Sequence, residues 1–209
     1  GQVRNKGIEL SINHRGRIGN DLNYNIGGNV SFNDNKVTKV TVNGGQVTVV
    51  GYTAHGSAPQ GITMFKENHS IGFFNLIETD GIFRSQEEID NYRDKNGNLI
   101  QPGAQVVDVR YKDYNGDGKI DEQDQHYVGS PYPTATFGLR LGGDWKGLDF
   151  NLFFDGTAGN KIYNYPRAVL SSSNYKGNHS TELANSWRPD NQNTDIPRFS
   201  VTDGMSNVW

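Results

Sequence analysis

The segment Leu22-Asn23-Tyr24-Asn25-Ile26-Gly27-Gly28-Asn29-Val30-Ser31-Phe32-Asn33 alternates residue by residue. Leu22, Tyr24, Ile26, Gly28, Val30 and Phe32 hold one register; Asn23, Asn25, Gly27, Asn29, Ser31 and Asn33 hold the other. A period of two puts successive side chains on opposite faces of a strand, so one face is apolar and the other polar. Three more segments share the pattern. Ile8, Leu10 and Ile12 interleave with Glu9, Ser11 and Asn13. Ala135, Phe137, Leu139, Leu141, Gly143 and Trp145 interleave with Thr136, Gly138, Arg140, Gly142 and Asp144. Leu148, Phe150, Leu152 and Phe154 interleave with Asp149, Asn151 and Asp155, and Phe153 breaks that polar register.

Two solvents fit such a sheet. One reading is a soluble antiparallel sheet with a single face on a core. The other is a transmembrane β-barrel with lipid outside and water inside. The second and third segments are long enough to cross a bilayer when tilted. The polar register is mainly Asn, Ser, Gly and Thr, as suits a wet lumen, and Tyr24, Phe32 and Trp145 lie near segment ends, as an interfacial aromatic girdle would. Arg15–Asn20 and Trp145-Lys146-Gly147 read as tight hairpin connections. Between the hairpins runs a connection of about 100 residues, Asp34–Pro133, far beyond what a compact domain uses but ordinary for the outer loops of a barrel.

The resulting layout is a barrel hairpin over 1–33, a long loop region over 34–133, a second barrel hairpin over 134–158 and a second loop region over 159–209. Within the long connection, Val37–Val50 reads as a small hairpin turning at Asn43-Gly44-Gly45, and Val106–Tyr111 as a strand. Ser85-Gln86-Glu87-Glu88 is a capping box opening a short helix over Ile89–Tyr92, and Asp94–Asn98 is a turn. The chain starts at Gly1 without a signal segment and reads as an internal piece of something longer.

Composition narrows the function. The 209 residues include 26 glycines, no cysteine, 11% aromatic and 21% charged residues. That mixture favours strands and turns over both disorder and long helices. No apolar run is long enough for a membrane helix. The absence of cysteine excludes a disulfide scaffold and thiolate metal sites. A formal charge of -3 gives no reason to expect nucleic acid as a partner. The histidines His14, His55, His69, His126 and His179 lack zinc spacing, and there is no nucleophile elbow or phosphate-cradling glycine loop, so no catalytic residue is assigned. Trp187 and Trp209 suit sugar stacking, but core or girdle packing is the commoner role for such residues.

The strongest local chemical signal is Asp113-Tyr114-Asn115-Gly116-Asp117-Gly118-Lys119-Ile120-Asp121-Glu122-Gln123-Asp124. Counted from Asp113, oxygen ligands fall at positions 1, 3, 5, 9 and 12, with Gly118 at the sixth, the spacing of a twelve-residue EF-hand loop. Asp113, Asn115 and Asp117 would give side-chain oxygens to calcium, Lys119 its carbonyl, Asp121 a direct or water-mediated contact, and Asp124 would close the shell in place of the usual Glu. The other reading is a solvated run of Asn-Gly and Asp-Gly turns. The strand-like residues ahead of the loop argue against a paired-helix EF-hand domain.

In order along the chain, several further motifs resemble those of the SusC/RagA-type TonB-dependent outer-membrane receptors of Bacteroidetes. Val3-Arg4-Asn5-Lys6-Gly7-Ile8-Glu9 is similar to a barrel strand of that family, as is Tyr24–Val37 ending in Asn35-Lys36-Val37. Ile71-Gly72-Phe73-Phe74 with Thr79-Asp80-Gly81-Ile82-Phe83, the acidic loop with Val128-Gly129-Ser130-Pro131, and Trp145–Phe150 follow. Trp187-Arg188-Pro189-Asp190-Asn191 with Thr194-Asp195-Ile196-Pro197-Arg198 completes the set, which spans nearly the whole chain. Asn75-Leu76-Ile77 departs from the family's Tyr-Gly turn. The resemblance implies an all-β fold: four strands, in two hairpins, of an antiparallel transmembrane barrel of about 22 strands, with long extracellular loops. Four strands cannot close a barrel by themselves. It also implies import of oligosaccharides or peptides across the outer membrane, energised by TonB through parts outside this chain, with a SusD-like lipoprotein over the loops and outer-membrane lipid around the strands. From the residues alone, a soluble secreted β-domain with a calcium loop, such as an adhesin or cell-wall or glycan-binding module, stays open beside it, as does a glycan-active enzyme.

Overall fold

The computed structural model describes residues 1–42, 46–49, 62–171 and 177–199. In chain order the strands are β1 (Gln2–Ile18), β2 (Leu22–Lys39), β3 (Gln46–Val49), β4 (Thr63–Lys66), β5 (Phe73–Leu76), β6 (Thr79–Ile82), β7 (Val109–Tyr111), β8 (His126–Gly129), β9 (Ala135–Trp145) and β10 (Leu148–Ala158). Two short helices, α1 (Gln86–Asn91) and α2 (Tyr165–Leu170), and two 3₁₀ turns (Glu122–Asp124 and Thr181–Asn185) complete the described elements. No described helix is long and apolar enough to cross a membrane.

The chain divides into two units. The first comprises Gly1–Val47, Met64–Phe73 and Gly129–Ile162. Its frame is an antiparallel sheet in the order β1-β2-β9-β10. The long excursion therefore leaves from β2 and returns to β2's own neighbour, with Leu22 opposite Trp145 and Phe32 opposite Ala135. Both hairpin turns close one end. Trp145 pairs with Leu148 across Lys146 and Gly147, whose φ of 52° and 86° give the two-residue turn that suits the twist of a hairpin. Ile18 pairs with Leu22, so β1 continues past the expected Arg15 boundary and only Gly19, Asn20 and Asp21 turn the chain. At the other end β2 runs to Lys39, six residues beyond the expected limit at Asn33. Val37–Lys39 thus belongs to β2; the Asn43-Gly44-Gly45 turn of the expected small hairpin lies outside the described residues, as do His55 and Trp209. The Asn35 Oδ1 accepts from the Ile71 amide (2.8 Å), and Val37 is buried where its backbone bonds to His69 and Asn68.

The second unit contains Phe74–Val128 and the described part of 163–209. Here the core is dry. Ile82, Phe83, Ile89, Ile100, Val107 and Val109 are buried around the β6–β7 pair and α1. Ser85 caps α1, its Oγ accepting from the Glu88 amide (3.2 Å), while the Glu88 carboxylate reaches one residue further back to the Arg84 amide (2.8 Å). The helix starts at Gln86, three residues ahead of the expected Ile89. Strand β7 is shorter than the expected Val106–Tyr111. Val107 takes a φ of 75°, a left-handed backbone rare for a β-branched residue, and turns the chain just before β7. The buried Gln101 amide donates to the Val109 carbonyl (2.8 Å) and accepts from the Tyr111 amide (3.1 Å). Asp108, fully buried, accepts from the Gln105 amide (2.8 Å) and from the Arg198 guanidinium (2.6 Å).

Candidate functional site: the barrel wall and the acidic loop

Register carries the alternation of single strands across the whole sheet. Ile12, Gly28, Leu139 and Phe154 form one row; His14, Ile26, Leu141 and Leu152 the next; Ile18, Leu22, Trp145 and Leu148 the row at the turns. On the opposite face Ser11, Asn29, Gly138 and Asp155 form a row, as do Arg15, Asn25, Gly142 and Asn151. The apolar rows do not fold into a closed interior: Ile12 is 75% exposed, Leu148 64% and Phe154 55%. In water, a patch this continuous is an association or aggregation surface. Facing hydrocarbon, it is what a barrel wall presents, and the 11 residues of β9 and of β10 match the length of a tilted span.

Glycines in the sheet are covered in two different ways. On the apolar face a Cβ at Gly16 would lie 2.5 Å from the Tyr24 ring, one at Gly143 2.9 Å from the Phe150 ring, and one at Gly156 2.5 Å from the Phe137 ring. Each aromatic ring lies flat over a neighbour without a side chain, which shields backbone and keeps the face continuous. On the polar face the amides of Asn13, Asn25 and Asn29 lie over Gly27, Gly142 and Gly138 in the same manner. At the turn end, the Lys146 ammonium sits 5.7 Å from the Trp145 ring centroid and 3.5 Å from Asp21 of the other turn. The His14 Nε2 is 3.1 Å from the Tyr24 hydroxyl. Aromatic rings with polar tips next to a cation fit the edge of a membrane better than its centre.

The acidic loop follows β7 in the second unit. Half-buried Asp113 accepts from the amides of Gly116 (2.7 Å), Gly118 (2.8 Å) and Asp117 (3.2 Å). Asn115 accepts from the Asp117 amide (2.8 Å) and Asp117 from the Lys119 amide (3.0 Å); these three side chains are exposed. Asp121 caps the 3₁₀ turn by accepting from the Gln123 amide (2.7 Å). Asp124 is fully buried and joins both ends of the loop, one oxygen taking the Tyr114 amide (2.9 Å) and the other the Asp121 amide (2.8 Å). Backbone N–H dipoles therefore offset the mutual repulsion of these closely spaced carboxylates. Gly118 has a φ of 88°, and a Cβ there would meet Asp94 at 2.7 Å, so glycine at the sixth position is required by packing as well as by the turn. Hydrogen bonds from Asn98, side chain first and then backbone, hold the Asp94 carboxyl below its usual range. Among the described residues, no three His, Asp or Glu side chains converge as a metal cluster.

Three links in this unit carried no sequence signal. Asp108 and Arg198 meet across 90 positions. Arg84 donates to the Thr194 carbonyl (2.7 Å) and pairs with Asp195. The Tyr92 hydroxyl donates to the Tyr111 carbonyl (2.7 Å) and accepts from the Asp113 amide (3.3 Å), tying the residue after α1 to the start of the acidic loop; burial pushes its phenol pKa up.

No family model matches the chain. TonB-dependent receptor P26 of Formosa agariphila is 33% identical over 198 residues, 95% of this chain and 19% of the relative. TonB-dependent receptor P3 of the same species is 30% identical over 203 residues, 97% of this chain and 19% of the relative. The TonB-dependent receptor SusC of Bacteroides thetaiotaomicron is 25% identical over 190 residues, 87% of this chain and 17% of the relative. Among solved structures, the RagAB peptide transporter superposes with a TM-score of 0.65 at 22% identity, over 94% of this chain and 20% of that one. The RagAB peptide importer in its closed-closed state gives 0.67 at 20% identity, over 98% and 21%. At these identities the structural likeness is one of fold. The chain spans about a fifth of the length of the curated relatives it matches. Over the segment it spans, with its open four-stranded sheet, the chain belongs to the SusC/RagA-type TonB-dependent receptor family.

Proposed function

We propose that this chain is a wall segment and loop region of an outer-membrane importer, not an enzyme. Its strands cross the membrane and its long excursions lie outside the cell. The observation that carries this reading is the sheet itself: apolar and polar rows run across four hydrogen-bonded strands, with tight turns at one end and long excursions at the other. The full receptor takes up oligosaccharides or peptides, with a SusD-like lipoprotein over the loops and TonB supplying energy. One similar structure is named as a peptide transporter, which supports the peptide class; the oligosaccharide class follows from the sequence resemblance. Deleting the receptor gene in the host bacterium and supplying labelled oligosaccharide and peptide mixtures tests the function. Loss of uptake of one class, restored by the full-length gene, supports the proposal; unchanged uptake of both contradicts it.

Calcium at Asp113, Asn115, Asp117, Lys119, Asp121 and Asp124 belongs to the same proposal as a stiffener of an external loop. The ligand spacing supports it, and an extracellular site needs only an affinity of about 10⁻⁴ to 10⁻³ M. Terbium luminescence on the full receptor should rise to saturation and be lost in Asp117→Ala. Absent saturation in the millimolar range would leave the hydrogen-bonded turns as the complete account of this loop.

A further inference from the structure

The last row that all four strands share on the apolar face, away from the turns, is Ile8, Phe32, Ala135 and Ala158. There β9 begins and β10 ends, and only β1 and β2 continue. Two residues further on the same face Lys6 stands opposite Asp34, and two beyond that Arg4 stands opposite Lys36. Past the register shift at Gln2 and Val3, Gln2 stands opposite Lys39. The other register of this extension holds Val3, Asn5, Gly7, Asn33, Asn35 and Val37, and carries no charge. The shared rows are arranged the other way round: Glu9, Arg15, Asp144 and Asp155 all stand on the polar face there. The uncharged side of the extension is occupied. Asn35 donates to Asn5 (2.6 Å) and accepts from the Ile71 amide (2.8 Å), and Val37 is buried where its backbone meets Asn68 and His69. Among the described residues, then, the chain's own excursion packs on one face. On the other, Arg4 and Lys6 are exposed, Lys36 is half-buried, and all three continue the open surface of Ile8 and Phe32.

Depth decides what meets these cations. At about 3.3 Å per residue and a tilt of about 45°, the Lys6 and Arg4 rows stand roughly 5 and 9 Å beyond the Ile8 row, which is the reach of a headgroup layer about 5–8 Å thick. Arg4, Lys6, Lys36 and Lys39 face a single carboxylate, Asp34, so the patch keeps a positive excess. At the turn end the balance is even, with Lys146 lying 3.5 Å from Asp21. A cation at headgroup depth meets phosphate esters, which an Arg fork grips with two hydrogen bonds and a Lys attracts as a point charge. We propose that Arg4, Lys6 and Lys36 form a docking site for the phosphate of an outer-leaflet glycolipid. Its acyl chains lie down the rows of Ile8 with Phe32 and Leu10 with Val30. The outer leaflet is the source because this end of the sheet carries the long excursions. The inference rests on the membrane reading of the apolar face and adds a bound lipid as a partner.

The test is native mass spectrometry of the purified full-length receptor with phosphorylated lipid A, with dephosphorylated lipid A and with inorganic phosphate. The phosphorylated lipid should be retained at least about tenfold better than the dephosphorylated one, a factor within reach of two or three interfacial cations. Arg4→Gln with Lys36→Gln should cut that preference to about twofold or less. Arg4→Lys with Lys36→Arg keeps both charges and should keep most of it, which separates lost charge from a misfolded wall. Lys146→Gln, at the turn end, should leave it unchanged. Inorganic phosphate should not displace the lipid, because the ion lacks the acyl chains that lie on the apolar rows. Equal retention of the two lipids, an undiminished preference in the double Gln variant, its loss in the charge-keeping variant, an equal loss in Lys146→Gln, or displacement by inorganic phosphate overturns the site. Brominated-lipid quenching of a fluorophore at Leu10→Cys on the same preparation distinguishes the two readings. Quenching without a phosphate preference removes this inference alone, whereas absent quenching strikes the membrane reading.

Discussion

The two units solve the burial of apolar side chains in opposite ways. In the second unit Phe83 and Val109 are fully buried, and two buried polar side chains beside them are paired, Asp108 with Arg198 and Gln101 with two backbone groups. In the sheet of the first unit the apolar residues point outward along four strands and stay open. One unit excludes water by its own packing. The other leaves that task to its surroundings, and only hydrocarbon serves an entire face of Ile, Leu and Phe. The difference teaches that exposure here marks a change of solvent and not a weak core.

Breaking the dry core should give the largest effect. Phe83→Ala removes a fully buried ring and should cost about 3–5 kcal/mol, confined to the second unit. Hydrogen exchange on the full receptor should quicken over Ile82–Val109 and stay slow over β1, β2, β9 and β10. A loss of protection in both units would erase the contrast.

Next come paired charges on the sheet. Phe154→Arg places a cation on the apolar face near mid-span and should cost about 2–4 kcal/mol in bilayers. Asp155→Arg, one residue on, faces water and should stay within about 0.5 kcal/mol. Denaturant unfolding in lipid vesicles distinguishes them, and equal costs would mean that both faces meet the same solvent.

Smaller effects sharpen the comparison. Ser85→Ala deletes the cap of α1 and should cost about 1 kcal/mol, read as faster exchange of Gln86–Asn91. The last effect is one of pH. Burial pushes the Tyr111 phenol up to about 12, above its unfolded value of 10.0. The raised value means that the folded state holds the proton more tightly. Its stabilisation is complete below pH 10 and is lost as pH rises toward 12. Alkaline titration should therefore loosen the second unit in that window, and Tyr111→Phe should remove the Tyr111 contribution; an identical profile in the variant would contradict this.

Much of the wall was legible because a strand's two faces are written locally, at every second residue. Its ends were less so. Arg15 and Arg17 continue the polar register of β1, but Gly16 between them offers no apolar side chain; its place is filled by the Tyr24 ring of the next strand, which no window on β1 alone contains. Val106–Tyr111 reads as strand from its β-branched residues, yet Val107 turns the chain, held by backbone bonds to Phe83 and Arg198, and these partners are distant in sequence. The acidic loop was legible as a spacing. That spacing serves two chemistries, since the side-chain oxygens that would face calcium also accept from the amides of their own turns. The family motif Thr194–Arg198 was visible as letters, and only the structure showed Arg198 neutralising a buried Asp108.

The face assignment of the sheet is tested most directly by single-cysteine labels at adjacent positions of β1 in the full-length receptor. Leu10→Cys and Ser11→Cys, each carrying a fluorophore and with any cysteine elsewhere replaced, are exposed to brominated lipid and to aqueous iodide. Strong quenching of position 10 by lipid and of position 11 by iodide is the predicted result. Quenching of both positions by iodide alone, or the reverse pattern, would contradict the account.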